Sequence, residues 1–161
     1  MIIAKTKEEI ELRREAALVV SKTLGMLASE VKPGETTLYL DRPAEDFIRE
    51  QGAIPGFLGL YDFPNTLCMS PNAQVVHGIP NDTPLREGDI ISIDCGAIKN
   101  EFYGDHAYTF AIGEITPEIQ KLLRITKESL YKGIKELKIG KRTGDVGYAI
   151  QQHCEAEGYG V

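Results

Sequence analysis

Two aspartates, Asp94 and Asp105, stand in the stretch SIDCGAIKNEFYGDHAYTF, residues 92–110. The stretch alternates with the two-residue period of a strand. Lys99-Asn100 reads as a two-residue hairpin loop that pairs Ile98 with Glu101. In that register Asp94 and Asp105 are direct cross-strand neighbours on one face, with Cβ atoms about 4.5–5.5 Å apart. Like charges so placed repel one another unless something positive lies between them. Hard divalent ions take oxygen ligands, and two facing carboxylates supply part of such a shell. A second reading stays open, in which both aspartates are solvated edge residues. A one-residue slip in pairing would also send them to opposite faces. Against solvation, Asp94 follows Ile-Ile-Ser-Ile, a setting in which an unpaired carboxylate is costly.

The chain has 161 residues, enough for one domain with a core. Its net charge of -6 argues against a nucleic-acid or membrane-surface protein, where a basic face is expected. Three cysteines, Cys68, Cys95 and Cys154, are widely spaced with no C-x-x-C. That pattern implies a reducing compartment, with neither a disulfide framework nor a zinc-thiolate site. The N-terminus becomes charged at once, unlike a signal peptide. No apolar run approaches the roughly 20 residues of a membrane span. The expected location is cytoplasmic.

Residues 6–30 read as an amphipathic helix opened by a Thr6–Glu9 capping box. Pro33 and Gly34 end it, and Thr36 or Thr37 caps a second helix that stops at Gly52. Residues 54–65 form a Gly- and Pro-rich connector. TLCMS (66–70) and QVVHGI (74–79) are predicted as two short strands around Pro71-Asn72. A third helix begins at Thr116-Pro117, and a fourth covers about residues 145–157 before Gly158. The class is α+β.

Within this order lies a repeat. Residues 32–52 and 138–158 share Lys32/Lys138, Gly34/Gly140, Thr37/Thr143 and Gly52/Gly158 at one offset of 106. The chain thus divides into a first half, 1–110, of helices then strands, and the helices of a second half, 111–161. Strands matching those of the first half would fall beyond Val161, so the expectation is one incomplete domain, 1–161, cut short within its second unit.

Three histidines carry different weight. His77 closes the predicted strand before Gly78. His106 should face away from Asp105 by strand alternation and reads as structural. His153 and Cys154 read as helix-surface residues. No G-x-S-x-G, P-loop or G-x-G-x-x-G motif is present.

The segment FLGLYDFPNTLCMSPNAQVVHGIPNDTPLREGDIISIDCG, followed by FYGDHAYTF, resembles type I methionine aminopeptidase of the bacterial kind, and the resemblance runs the whole length. It implies the pita-bread fold, an antiparallel sheet with helices in two pseudo-symmetric halves, the second incomplete here. It implies hydrolytic removal of the N-terminal methionine of nascent peptides by two divalent metal ions (Co, Mn, Fe, Zn or Ni), with the ribosome as a candidate associate. By resemblance, Asp94 and Asp105 are metal ligands and His77 contacts substrate near the scissile bond. Phe57, Leu60, Phe63 and Cys68 line the methionine pocket. The family completes its metal site with a His and two Glu from the second half, which this chain lacks. The chain alone is therefore expected to be inactive and to need a complementing chain or to self-associate. Two alternatives are a non-catalytic pita-bread binding protein and an aminopeptidase P- or prolidase-like metallopeptidase. The intact aspartates weigh against the first, and the short N-terminus and apolar pocket against the second.

Overall fold

The computed structural model describes residues 3–161. Helix α1 (Lys7–Leu27) starts at the predicted capping box: the Thr6 side chain accepts from the Glu9 amide, and the Glu9 carboxylate accepts from the Thr6 amide at 2.7 Å. Thr36, rather than Thr37, caps α2 (Thr37–Glu50) by accepting from the Tyr39 amide. Gly52 then turns the chain with φ 68°, a conformation that favours glycine. Four antiparallel strands follow: β1 (Ile54–Pro55), β2 (Leu67–Pro71), β3 (Ile90–Lys99) and β4 (Phe102–Ala111). The chain ends in α3 (Pro117–Lys135) and α4 (Thr143–Ala156).

Strand β3 organises the sheet. β4 runs along one of its edges, while β2 and β1 share the other. Alternation gives β3 two unlike faces. Ile91, Ile93, Cys95 and Ala97 are fully buried and join Val20, Leu24 and Leu27 of α1 and Leu40, Ala44 and Ile48 of α2 in one core. Each large aliphatic side chain buried there contributes roughly 1.5–3 kcal/mol. The other face carries Ser92, Asp94, Gly96 and Ile98 beside Thr109, Ala107, Asp105 and Tyr103 of β4. A Ser92–Thr109 hydroxyl contact of 2.9 Å ties the two strands on that face.

Two compact units divide the chain, the first ending at Ile115 and the second being Thr116–Val161. In the second, α3 and α4 pack on each other: a Cβ at Gly133 would lie 2.8 Å from the Ile150 side chain. Cys154 is buried there, and the His153 ring meets the Glu128 carboxylate at 3.0 Å. Neither is the free surface residue expected, because this face of α4 is turned toward α3.

Two further expectations are corrected. Residues 74–79 are not a strand. His77 takes a left-handed φ of 57°, which breaks an extended run. Gly78 crosses so close to the Met69 carbonyl that no side chain fits. The hairpin turn is Asn100-Glu101, not Lys99-Asn100, and Lys99 pairs with Phe102. Both turn residues have positive φ, 51° and 66°, as a type I′ turn demands. Asn tolerates that conformation and Lys does not favour it. Lys99 stays in the strand, where its Nζ donates to the Gln51 carbonyl at 2.9 Å, and Asn100 donates to Glu15 of α1.

The turn yields a direct test of register. Replacing Glu101 by glycine relieves a left-handed L-residue and creates an Asn-Gly turn. Glu101→Gly is expected to raise stability by about 0.5–1 kcal/mol in urea unfolding. A loss of similar size would place Glu101 inside a strand and restore the other pairing.

Candidate metal centre

The corrected register moves the two aspartates without separating their faces. Asp94 lies opposite Ala107, and Asp105 opposite Gly96. The shift is two residues, and an even shift preserves the face. The carboxylates are thus diagonal neighbours, with Cβ atoms about 7 Å apart or somewhat less, instead of direct partners. Diagonal spacing relieves part of the repulsion.

Their environments differ. Asp105 is exposed and Asp94 half-buried. Burial pushes the Asp94 carboxyl up from 3.8 to about 6, helped by the charge of Asp105 and by a hydrogen bond with Asp105. His77 and the Cys95 amide act in the opposite direction. The Asp94 Oδ1 atom is fully buried without a hydrogen-bond partner. A buried carboxylate oxygen without a donor demands an explanation, and a cation supplies one. The donor set fits a hard divalent ion in kind, since both groups are carboxylates. In number it falls short: among the described residues no group of three His, Cys, Asp or Glu side chains could hold a metal.

Cys68 on β2 is the direct cross-strand partner of Asp94 on its other side. Burial and then the charges of Asp94, Asp105 and Asp41 raise its thiol to about 11. In the metal-free chain Cys68 is therefore a protonated thiol that forms an apolar wall. The Phe57 ring covers Gly96, where a Cβ would come within 2.5 Å of it. Phe57 thereby lies over the face that carries both carboxylates. Leu60 and Phe63 ride on the same connector, closed by Leu60 N–H to Phe57 O at 2.9 Å and Gly59 N–H to Phe63 O at 2.8 Å. Leu60 is exposed and Phe63 half-buried. His77 is exposed on the loop after β2, near enough to Asp94 to influence its ionisation. His106 pairs with Cys95 and faces away from Asp105.

A family model described as metallopeptidase family M24 matches residues 11–161. The chain belongs to metallopeptidase family M24. It is 52% identical to a methionine aminopeptidase of Clostridium acetobutylicum, over all of this chain and 65% of that protein. The crystal structure of methionine aminopeptidase from Rickettsia prowazekii superposes with a TM-score of 0.98 at 37% identity, over all of this chain and 65% of the other. A Xaa-Pro dipeptidase from Bacillus anthracis shares the fold alone, with a TM-score of 0.83 at 22% identity over 97% of this chain and 42% of that one. This M24 chain therefore has the α+β pita-bread fold, and it spans 65% of the length of its methionine aminopeptidase relatives.

Sequence reading missed the buried Asp41, which accepts from the Thr66 and Leu67 amides and from Asn65. Its signal was a carboxylate inside the apolar stripe Leu40, Ala44, Ile48 of an amphipathic helix.

The ionisation of Asp94 sets a pH-dependent test. Native Asp94 holds its proton up to about pH 6, whereas the unfolded chain releases it near 3.8. Unfolding releases a proton between those values, so this group's contribution to stability falls as pH rises through that window. Asp94→Asn is expected to stabilise the metal-free chain at pH 7.5 by about 1–2 kcal/mol after allowance for solvent screening. The gain should shrink as pH falls from 6 toward 4. Urea unfolding at several pH values checks it, and a gain independent of pH would exclude this origin.

Proposed function

We propose that the chain carries the metal-holding and methionine-recognising part of a methionine aminopeptidase, which removes the N-terminal methionine of nascent peptides in the cytoplasm. The observation that carries this reading is the buried, partnerless Asp94 oxygen beside Asp105 on one sheet face, in a chain 52% identical to such an enzyme. No helix among the described residues is long and apolar enough to cross a membrane.

In this reading Asp94 and Asp105 hold divalent metal, and further donors come from protein outside these two carboxylates. Bound divalent metal supplies Lewis-acid polarisation of the scissile carbonyl and acidifies water. Phe57, Leu60, Phe63 and Cys68 receive the methionine side chain, whose thioether packs well against ring edges. The protonated Cys68 keeps that pocket uncharged beside Asp94. His77 donates a hydrogen bond to the substrate amide and orients the scissile bond. A non-catalytic binder has no use for a buried carboxylate oxygen left without a donor, so that alternative is set aside.

We further infer that residues 1–110 and 111–161 are duplicated halves, and the boundary between the two compact units falls close to that division, at Ile115. Supporting this, α4 starts and ends 106 residues after α2, 143 against 37 and 156 against 50, with 14 residues in each. Gly34 and Gly140 both take φ near 90°, and Gly52 and Gly158 are both left-handed.

With two carboxylates and the remaining positions left to water, the chain by itself is expected to bind Mn²⁺ only weakly, with a Kd on the order of millimolar. Asp94→Asn and Asp105→Asn should each abolish that binding in calorimetric titration. Cleavage of a Met-Ala-Ser peptide by the 161 residues alone should stay at background. Unchanged Mn²⁺ affinity in both variants would end the metal assignment.

A further inference from the structure

Helix α2 reaches both loops that carry the candidate site, through two buried polar residues one turn apart. Thr37 is 2% exposed and Asp41 is 7% exposed. Residues four apart lie on the same helical face. The oxygens of Asp41 accept from the Leu67 amide at 2.8 Å, the Thr66 amide at 3.1 Å and the Asn65 side chain at 3.0 Å. Those donors are the end of the 56–66 connector and the start of β2. The same stretch carries Phe57, Leu60 and Phe63 before it and Cys68 directly after it. Thr37 makes a reciprocal pair with Asn81: its hydroxyl donates to the Asn81 carbonyl at 3.1 Å and accepts from the Asn81 amide at 2.8 Å. The Leu38 amide also donates to that carbonyl. Asn81 closes the loop that carries His77. The loop is also fastened at Gly78, whose amide donates to Ser70 Oγ and whose carbonyl accepts from Met69.

A buried hydroxyl and a buried carboxylate in an apolar helix face are destabilising unless fully bonded. Here both bond to the two loops and the start of β2 rather than to the helix itself. We propose that Thr37 and Asp41 are positioning residues, which set two separate loops on one rigid helix so that the pocket side chains and His77 hold a fixed relation above the sheet. Asp41 registers the pocket connector and Cys68, and Thr37 registers the His77 loop. The placement rests on the peptidase reading only for the roles of Phe57, Phe63, Cys68 and His77.

The two tethers are separable, and that gives the test. Site-resolved amide exchange by NMR is measured on the 161-residue chain and its variants. Asp41→Ala is expected to raise exchange at Thr66 and Leu67 about tenfold or more, while Asn81 is unchanged. Thr37→Val is expected to do the reverse, freeing Asn81 and sparing Thr66 and Leu67. Phe57, Phe63 and Cys68 resonances should move in the first variant only, and the His77 imidazole in the second only. Thr37→Ser keeps the hydroxyl and should restore Asn81 protection. Asp41→Asn keeps one acceptor, should show an intermediate rise, and replaces the alanine variant if that one does not fold. Equal rises at Ile91 and Ile93 of β3, or no change at the tethered amides, would reduce both residues to general stabilisers and overturn the proposal. Titration of the unmodified chain with L-methioninamide bears on the peptidase reading separately: absence of shifts at Phe57 and Cys68 counts against that reading and leaves the exchange result standing.

Discussion

A carboxylate on a central strand, with one oxygen buried and unbonded, sets the terms for the rest of this molecule. Asp94 lies between Ile93 and Cys95, both fully buried, and desolvation is the largest influence on its ionisation. A sheet tolerates such a group only if the strand around it is held firmly from elsewhere, since relaxation toward solvent would relieve the penalty. The holding is visible. The odd-numbered residues of β3 are gripped by α1 and α2, and β2 and β4 flank Asp94 on both edges. Relaxing Asp94 outward would therefore disturb the same strand that builds the core. The apolar packing on one face stabilises an electrostatically unfavourable arrangement on the other, a familiar division of labour at functional sites.

The neighbours of Asp94 follow the same logic. Placing Cys68 directly across from it brings a thiol where a hydroxyl or amide would have donated a hydrogen bond. The S–H group is only a weak donor, and the raised thiol pKa keeps Cys68 uncharged, so it serves as an apolar wall. Gly96 performs a related service: with no side chain of its own it admits the Phe57 ring onto the sheet beside Asp105. One face thus holds charge at its middle and apolar surface at its margin, the arrangement expected where a polar main chain and an apolar side chain must be received together.

How much of this was legible in the sequence depends on the range of the forces involved. The starts of α1 and α3 were readable because capping is local: Thr6 with Glu9, and Thr116 before Pro117, satisfy amides within one turn. Asp94 and Asp105 were found on one face because alternation is local too. Their register was not, since it hinges on which residue accepts a left-handed φ. Asn100 does so, and contacts to Glu15 and Gln51, far away in sequence, reinforce the choice. Residues 74–79 look like a strand by composition, but the close passage of Gly78 over Met69 is a tertiary fact. The roles of Thr37 and Asp41 were hidden for the same reason, because their partners lie 24 to 44 residues away.

Comparison of α2 with α4 shows which of these features belongs to the fold and which to the site. At the offset of 106, Leu40, Ala44 and Ile48 correspond to Val146, Ile150 and Cys154, so the apolar stripe recurs. The flanking left-handed glycines recur as well. These are the requirements of a helix that starts, packs and stops, and any working helix in such a place must meet them. Asp41 does not recur: Gly147 stands at its position. A carboxylate needed for the helix itself would be expected in both helices. Its presence in α2 alone, bonded to the approach of β2, indicates that it answers to the loops of the first unit, and the electrostatic demands of α2 as a helix do not require it.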